Sequence, residues 1–169
     1  MEAKLAGQKT FLTLLKESDI QTIDNWSCDP LLCNTYHNCD SLKEQYLKSY
    51  IESQEDNFAI YLINTMDNIV IGRLSIDISY DEDCAGIDMV IAEKVYTGKG
   101  YGKDALKTII KYCFEELRLN CIKMIFKEDN MRAEYCCWAC GLKEDKYYLS
   151  EDRFKNTSGM VIYKRDYIG

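Results

Sequence analysis

Three glycines at alternate positions, Gly98, Gly100 and Gly102, are interleaved with Thr97, Lys99, Tyr101 and Lys103, between an apolar run and an amphipathic stretch. A strand, a glycine-rich turn and a helix in that order leave backbone N–H groups unpaired at a helix start, where negative charge is favoured. Such a turn is a phosphate cradle. Two common versions fail on one residue. Counted from Gly98, a nucleotide-binding P-loop and a dinucleotide fingerprint both need glycine at 103, and the chain has Lys103 there. Asp88 is the next feature. It interrupts the apolar run Ile87–Ile91, where burying a carboxylate would be costly, so it is expected to face a cleft and to serve as a proton acceptor. An outer-face position is the alternative for Asp88, and Glu93 is a weaker candidate for the same chemistry. Cys137 and Cys140 have C-x-x-C spacing, but redox pairs start helices and this pair ends one, just before Gly141. His37, the only histidine, lacks a partner pattern, so no metal site is expected. With Tyr36 and Trp26 it is expected either to line a substrate cleft or to pack on the surface.

The elements that would hold these residues alternate between strand and helix. Phe11–Lys16 reads as a strand, and Ser18 or Asp19 caps a helix to about Trp26, before Pro30. Residues 41–53 carry Leu42, Tyr46, Leu47 and Tyr50 at helical spacing. Phe58–Asn64 and Ile69–Tyr80 read as a hairpin around Met66-Asp67-Asn68, and Gly86–Ala92 as the strand feeding the glycine loop. Ala105, Leu106, Ile109, Ile110, Cys113, Phe114 and Leu117 then repeat at three and four residues, which predicts a helix ended by Asn120. A strand over Cys121–Lys127 follows. Asn130 or Asp129 caps a helix over Met131–Cys140, stopped by Gly141. Final strands are expected near Lys146–Leu149 and Gly159–Arg165.

A chain of 169 residues is expected to be one domain, 1–169, with a sizeable core. No apolar run reaches about 18 residues and the N-terminus lacks a leader pattern, so a cytoplasmic protein with no membrane partner is expected. The nine cysteines are odd in number and are read as reduced thiols, with Cys113 and Cys121 acting as small hydrophobes. A net charge of −7 argues against nucleic-acid partners and suits a cationic substrate, or simply solubility. Against that acidity, residues 94–111 hold five lysines and one acid, Asp104, a local excess that suits an anionic ligand.

The glycine spacing resembles the acetyl-CoA pyrophosphate loop of the GNAT N-acetyltransferases, although Thr97 stands where that loop usually has arginine or glutamine. A second family motif follows the long helix: Asn130, Ala133 and Gly141 match its spacing, Leu142 replaces a phenylalanine and Cys137 a tyrosine. The order of elements is also that of the family, so the resemblance spans nearly the whole chain. Residues 109–122 are most similar to the subgroup acting on ribosomal-protein N-termini and polyamines. Gly86-Ile87-Asp88 is similar to the aminoglycoside acetyltransferases, where such an Asp acts on the amine.

The resemblance implies an α/β (α+β) GNAT fold, a mixed sheet of about seven strands flanked by about four helices. It implies acetyl-CoA as co-substrate, held by Val90, Ile91 and Ala92 through the pantetheine arm and by Thr97, Gly98, Lys99, Gly100, Tyr101, Gly102 and Lys103 at the pyrophosphate, with Asn130 adding a side-chain contact. The acceptor would be a primary amine, on a small molecule or a peptide, attacking directly. Asp88 would be the base. Cys137 would stand as the acid, although several subgroups let solvent protonate the thiolate. Homodimerisation is left open. A non-catalytic acyl-CoA-binding module is the competing reading, motivated by Thr97 and Cys137.

Overall fold

In a computed structural model of the protein, residues 1, 3–27, 47–48, 51, 56–144 and 157–168 are described. The chain runs β1 (Lys4–Ala6), β2 (Thr10–Leu14), α1 (Ile20–Ser27), β3 (Phe58–Thr65), β4 (Val70–Ser79), β5 (Cys84–Ile91), α2 (Tyr101–Glu115), β6 (Cys121–Lys127), α3 (Met131–Trp138), β7 (Lys143–Glu144) and β8 (Thr157–Tyr163). The strands form one eight-stranded sheet in the order β1-β2-β3-β4-β5-β6-β8-β7. Every pairing is antiparallel except β5 with β6. That one parallel pairing needs a crossover, and α2 supplies it.

The expected elements lie close to those observed, with differences at the ends of the chain. β1 goes beyond the expectation of about seven strands: it is three residues long with only Leu5 buried, too short to show a period. The strand expected near 146–149 lies outside the described residues, as does most of the helix expected over 41–53. Leu47, from that helix, is buried beside Ile20, Ile23 and Trp26. The β3–β4 turn forms as expected, with Asn68 at φ 61° and its amide donating to the Thr65 carbonyl at 3.0 Å.

Each face of the sheet has its own core. On one, α2 buries Ala105, Leu106, Ile109, Ile110, Cys113 and Phe114 against Tyr61, Leu74, Ile76, Ile87, Ile122 and Met124, and α3 packs there through Cys137. Each large apolar side chain so buried contributes about 1.5–3 kcal/mol. On the other face, α1 covers Ile60, Leu62 and Ala92. Between these layers the sheet has a tight spot at Gly72, where a Cβ would fall on the Val90 carbonyl. Only glycine lets β4 and β5 approach so closely there.

At the first rung of the parallel ladder, Cys84 faces Cys121 with Cα atoms 4.4 Å apart and their sulfurs bonded. The expectation of reduced thiols is overturned at this pair. Register places both side chains on one face, and composition carries no information about register. Cys113, Cys136, Cys137 and Cys140 are free.

Candidate active site

The parallel ladder is short. It joins Cys84–Ile87 to Cys121–Met124 and stops, although β5 continues to Ile91 and β6 to Lys127. Beyond Ile87, β5 stays laddered only to β4. The sheet therefore forks, and the second edge of residues 88–91 faces the opening. Ala92 N–H donates to the Ile71 carbonyl at 2.9 Å, as does Glu93 N–H at 3.1 Å. Backbone groups alternate in direction along a strand, so an Ala92 amide spent on β4 turns the Ile91 amide to the open edge. Of the three residues expected to hold a ligand through backbone groups, Ile91 is thus aimed into the fork and Ala92 is not. Val90 points its side chain to the α1 core.

The glycine loop sits at the open end of that fork. A 3-10 turn over Lys94–Tyr96 leads to Thr97, whose hydroxyl and amide both donate to the Lys94 carbonyl, at 2.8 and 3.1 Å. Thr97 therefore closes the turn with its own side chain. Gly98 and Gly100 have φ of 71° and 87°, the left-handed region where a Cβ is penalised. Gly100 is the N-cap of α2, and the first intrahelical bond runs from Asp104 N–H to the Gly100 carbonyl. The amides of Tyr101, Gly102 and Lys103 precede that bond and have no intrahelical acceptor. Gly102 has a different role: a Cβ there would lie 3.5 Å from Ile91 Cγ1, 3.6 Å from Met89 Cε and 4.0 Å from Cys136 Sγ, in the space between β5 and α3. Free amides, left-handed glycines, exposed Lys99 and Lys103 and an adjoining strand edge are what a pyrophosphate with a polar, strand-like arm requires. Replacing Gly100 by alanine is expected to cost about 1 kcal/mol in the loop and to raise the KM for acetyl-CoA about tenfold with little change in kcat, checked by steady-state kinetics.

Asp104 fixes where the loop stands. Its carboxylate accepts from the amides of Gln8, Lys9 and Thr10 at 3.1, 2.9 and 2.8 Å and from the Thr10 hydroxyl at 2.8 Å. Burial pushes this carboxyl up, but the donors of Lys9, Thr10 and Gln8 outweigh it and hold the pKa below the ordinary aspartate value. The β1–β2 turn is thereby clamped to the first turn of α2, and Lys9 Nζ reaches on to the Lys99 carbonyl at 3.3 Å. Gly7 makes the approach possible, since a Cβ there would collide with the Asp104 carboxylate and the Thr108 hydroxyl. Sequence reasoning met Asp104 only as the one acid among lysines; its partners lie more than ninety residues away along the chain.

Two carboxylates lie on the α1 side where the strands part. Asp88 is the first residue past the ladder, with its side chain half exposed, and its Oδ2 accepts from Arg73 Nη2 at 3.1 Å. Arg73 is itself 3% exposed, a buried charge in β4 that the sequence reading passed over. Glu93 follows β5, and its Oε1 accepts from the Trp26 indole N–H at 3.1 Å. Trp26, expected either to line a cleft or to pack on the surface, is buried with Ile20 and Ile23, and its indole holds Glu93. Tyr36 and His37 lie outside the described residues.

The α3 residues divide. Asn130 caps the helix, its Oδ1 accepting from Ala133 N–H at 3.1 Å. Cys137, expected as the acid, is fully buried with Sγ 3.5 Å from Met124 Sδ, and burial pushes its thiol up to about 12. A thiol so placed presents no proton to the open edge, so Cys137 is corrected to a packing residue. The C-x-x-C reading changes as well, because Cys137 turns inward to Met124 while Cys136 and Cys140 both lie against the start of α2. Among the described residues, no group of three His, Cys, Asp or Glu side chains could hold a metal ion, and no helix is long and apolar enough to cross a membrane.

A forked mixed sheet with a left-handed glycine loop at its mouth defines a class, and comparison with known proteins agrees. Residues 9–143 match the acetyltransferase (GNAT) domain, so the chain belongs to the GNAT acetyltransferase family, as a transferase that uses acetyl-CoA as co-substrate. Among curated proteins it is 25% identical over 138 residues to a spermidine N(1)-acetyltransferase of Vibrio cholerae, covering 79% of this chain and 78% of the relative. Among solved structures, the spermidine N-acetyltransferase of Vibrio cholerae in complex with CoA and spermine superposes with a TM-score of 0.76 at 20% identity, covering 95% of this chain and 99% of that one. A GNAT-family acetyltransferase from Bacillus anthracis gives 0.78 at 14% identity, over 96% and 99% of the two chains.

Proposed function

We propose that the chain acts as a single domain that transfers the acetyl group of acetyl-CoA to a primary amine of a linear polyamine. The observation that carries this reading is the fork, open at Asp88–Ile91 with the glycine loop at its mouth and two carboxylates on its α1 side. Acetyl-CoA supplies an acetyl group activated as a thioester. Amides and lysines from Gly98 to Lys103 hold the phosphates, with Thr97 closing the turn before them, Asn130 flanks them, and the Ile91 edge aligns the arm. An alkyl ammonium has a pKa near 10, so only about one amine in 10³ is neutral at pH 7. Asp88 takes the proton, and Glu93, steadied by Trp26, is placed to hold the ammonium end of the acceptor. A polycation also suits a chain of net charge −7, and the curated relative acts on spermidine. With Cys137 buried, solvent protonates the departing thiolate.

The test is release of CoA thiol with spermidine, spermine, an N-terminal peptide and an aminoglycoside as acceptors. Turnover is expected with spermidine or spermine at a kcat/KM at least about 10²-fold above the other amines, a difference of about 2.7 kcal/mol. Preference for the peptide or the aminoglycoside would move the acceptor class. Tight CoA binding with no thiol release for any amine would replace the enzyme by an acyl-CoA-binding module.

A further inference from the structure

Cys136 and Cys140 form a thiol pair that acetyl transfer does not use. Both are partly exposed, and both face the start of α2. Cys136 Sγ lies 4.0 Å from where a Gly102 Cβ would stand, and that same position touches Met89 and Ile91 of the open edge. Cys140 Sγ donates to the Lys103 carbonyl at 3.5 Å. The neighbouring Cys140 side chain lowers the Cys136 pKa against the opposing effect of burial, with the Lys103 charge helping. Cys140 is raised by Cys136 in turn and by burial. Lys103 and Lys107, one helical turn apart, thus put positive charge beside the two sulfurs. A low-pKa, accessible sulfur next to a second thiol is the arrangement of a reactive site with a resolving partner.

We propose that Cys136 is a site of thiol–disulfide exchange with small-molecule disulfides, resolved by Cys140, at the wall of the acetyl-CoA groove. The Cys136 thiolate attacks one sulfur of a disulfide such as oxidised glutathione, forming a mixed disulfide and expelling one glutathione thiolate. The Cys140 sulfur then displaces the second glutathione, and its proton goes to that leaving thiolate. Two protein thiols become one disulfide, and one glutathione disulfide becomes two thiols.

The fold permits the second step. Residues four apart on a helix have Cβ atoms about 5–6 Å apart, whereas a disulfide needs about 3.5–4.5 Å. Cys140 lies past the end of α3, in a turn where Cys140 and Gly141 amides donate three residues back at 3.0 Å and Gly141 has φ 91°. Tightening that turn closes the gap without melting the helix, and it shifts the sulfur that abuts Gly102. CoA in the groove should shield Cys136.

The test treats the full chain with oxidised glutathione and maps the peptide 133–143, with and without saturating CoA. The expected result is a Cys136–Cys140 bond, loss of activity in step with it, recovery with a dithiol, and a reaction slowed at least about tenfold by CoA. Cys140→Ser should stop at a glutathione adduct on Cys136, and Cys137→Ser should behave as wild type. Cys136→Ser should give neither product. A 137–140 bond, a wild-type reaction rate in Cys136→Ser, or no protection by CoA would overturn the proposal. Each outcome can be read from the peptide masses whatever the amine acceptor is.

Discussion

Replacing Asp104 by alanine should lower stability by about 2–3 kcal/mol and the melting temperature by about 5–10 °C, and should weaken acetyl-CoA binding as well. Four donors converge on this carboxylate. The amides of Gln8 and Lys9 are at the surface and can turn to water, so only part of the charged hydrogen-bond energy is lost there. Thr10 is fully buried, and its amide and hydroxyl would lose their acceptor. The effect on the ligand follows from position, because the same carboxylate pins the β1–β2 turn under the N-terminus of α2. The pH dependence has a fixed sign. A carboxyl held below its ordinary pKa stabilises the fold above about pH 4 and loses that contribution as pH falls through the lowered value. Wild type should therefore lose more stability than Asp104→Ala between pH 5 and 2, measured by denaturant unfolding at each pH. Equal slopes would mean that Asp104 is not the clamp.

Asp88→Asn should reduce kcat by about 10²-fold with little change in the KM for acetyl-CoA. Asp88 sits where β5 leaves β6, on the α1 side, and not among the loop amides, so the donor should still bind. The variant also tests a structural alternative, since Asp88 is the counterion of the buried Arg73. Removing a partner from a fully buried pair costs about 3–5 kcal/mol, but Asp88 is half exposed and water screens the loss, so about 1 kcal/mol is expected. Stability and rate then separate. A stability loss of 1 kcal/mol leaves nearly all molecules folded and cannot produce a hundredfold fall in turnover. A normal rate in Asp88→Asn would remove Asp88 from the chemistry, with Glu93→Gln as the next variant to assay.

The donor side of the site could be read from the sequence because its signals are local. Left-handed turns select glycine, so Gly98 and Gly100 are visible as letters, and the apolar period from Ala105 to Phe114 places the helix that follows. Asn130 and Gly141 cap and stop α3 for equally local reasons. What escaped depends on distance or direction. Asp104 finds its partners across the fold, and Cys84 finds Cys121 through parallel register. Arg73 is hidden within a strand whose pattern shows only alternation. Spacing alone paired Cys137 with Cys140, yet residues three and four apart both lie near one helix face. Only packing shows that Cys137 turns inward to Met124 while Cys136 turns to Gly102 and Cys140 to Lys103. Burial also decides against Cys137 as the acid, a role assigned from its position in a motif.

The four-rung ladder between β5 and β6 has a thermodynamic consequence. Where those strands part, the sheet lacks the hydrogen bonds that a longer ladder would supply. A ligand lying along the open edge would fill that place as a surrogate strand, joining the two halves of the sheet through non-covalent bonds. Occupancy and folding are then linked equilibria: whatever binds the native fork draws the chain away from the unfolded state. For this enzyme the CoA pool would act on the lifetime of the protein as well as on its turnover.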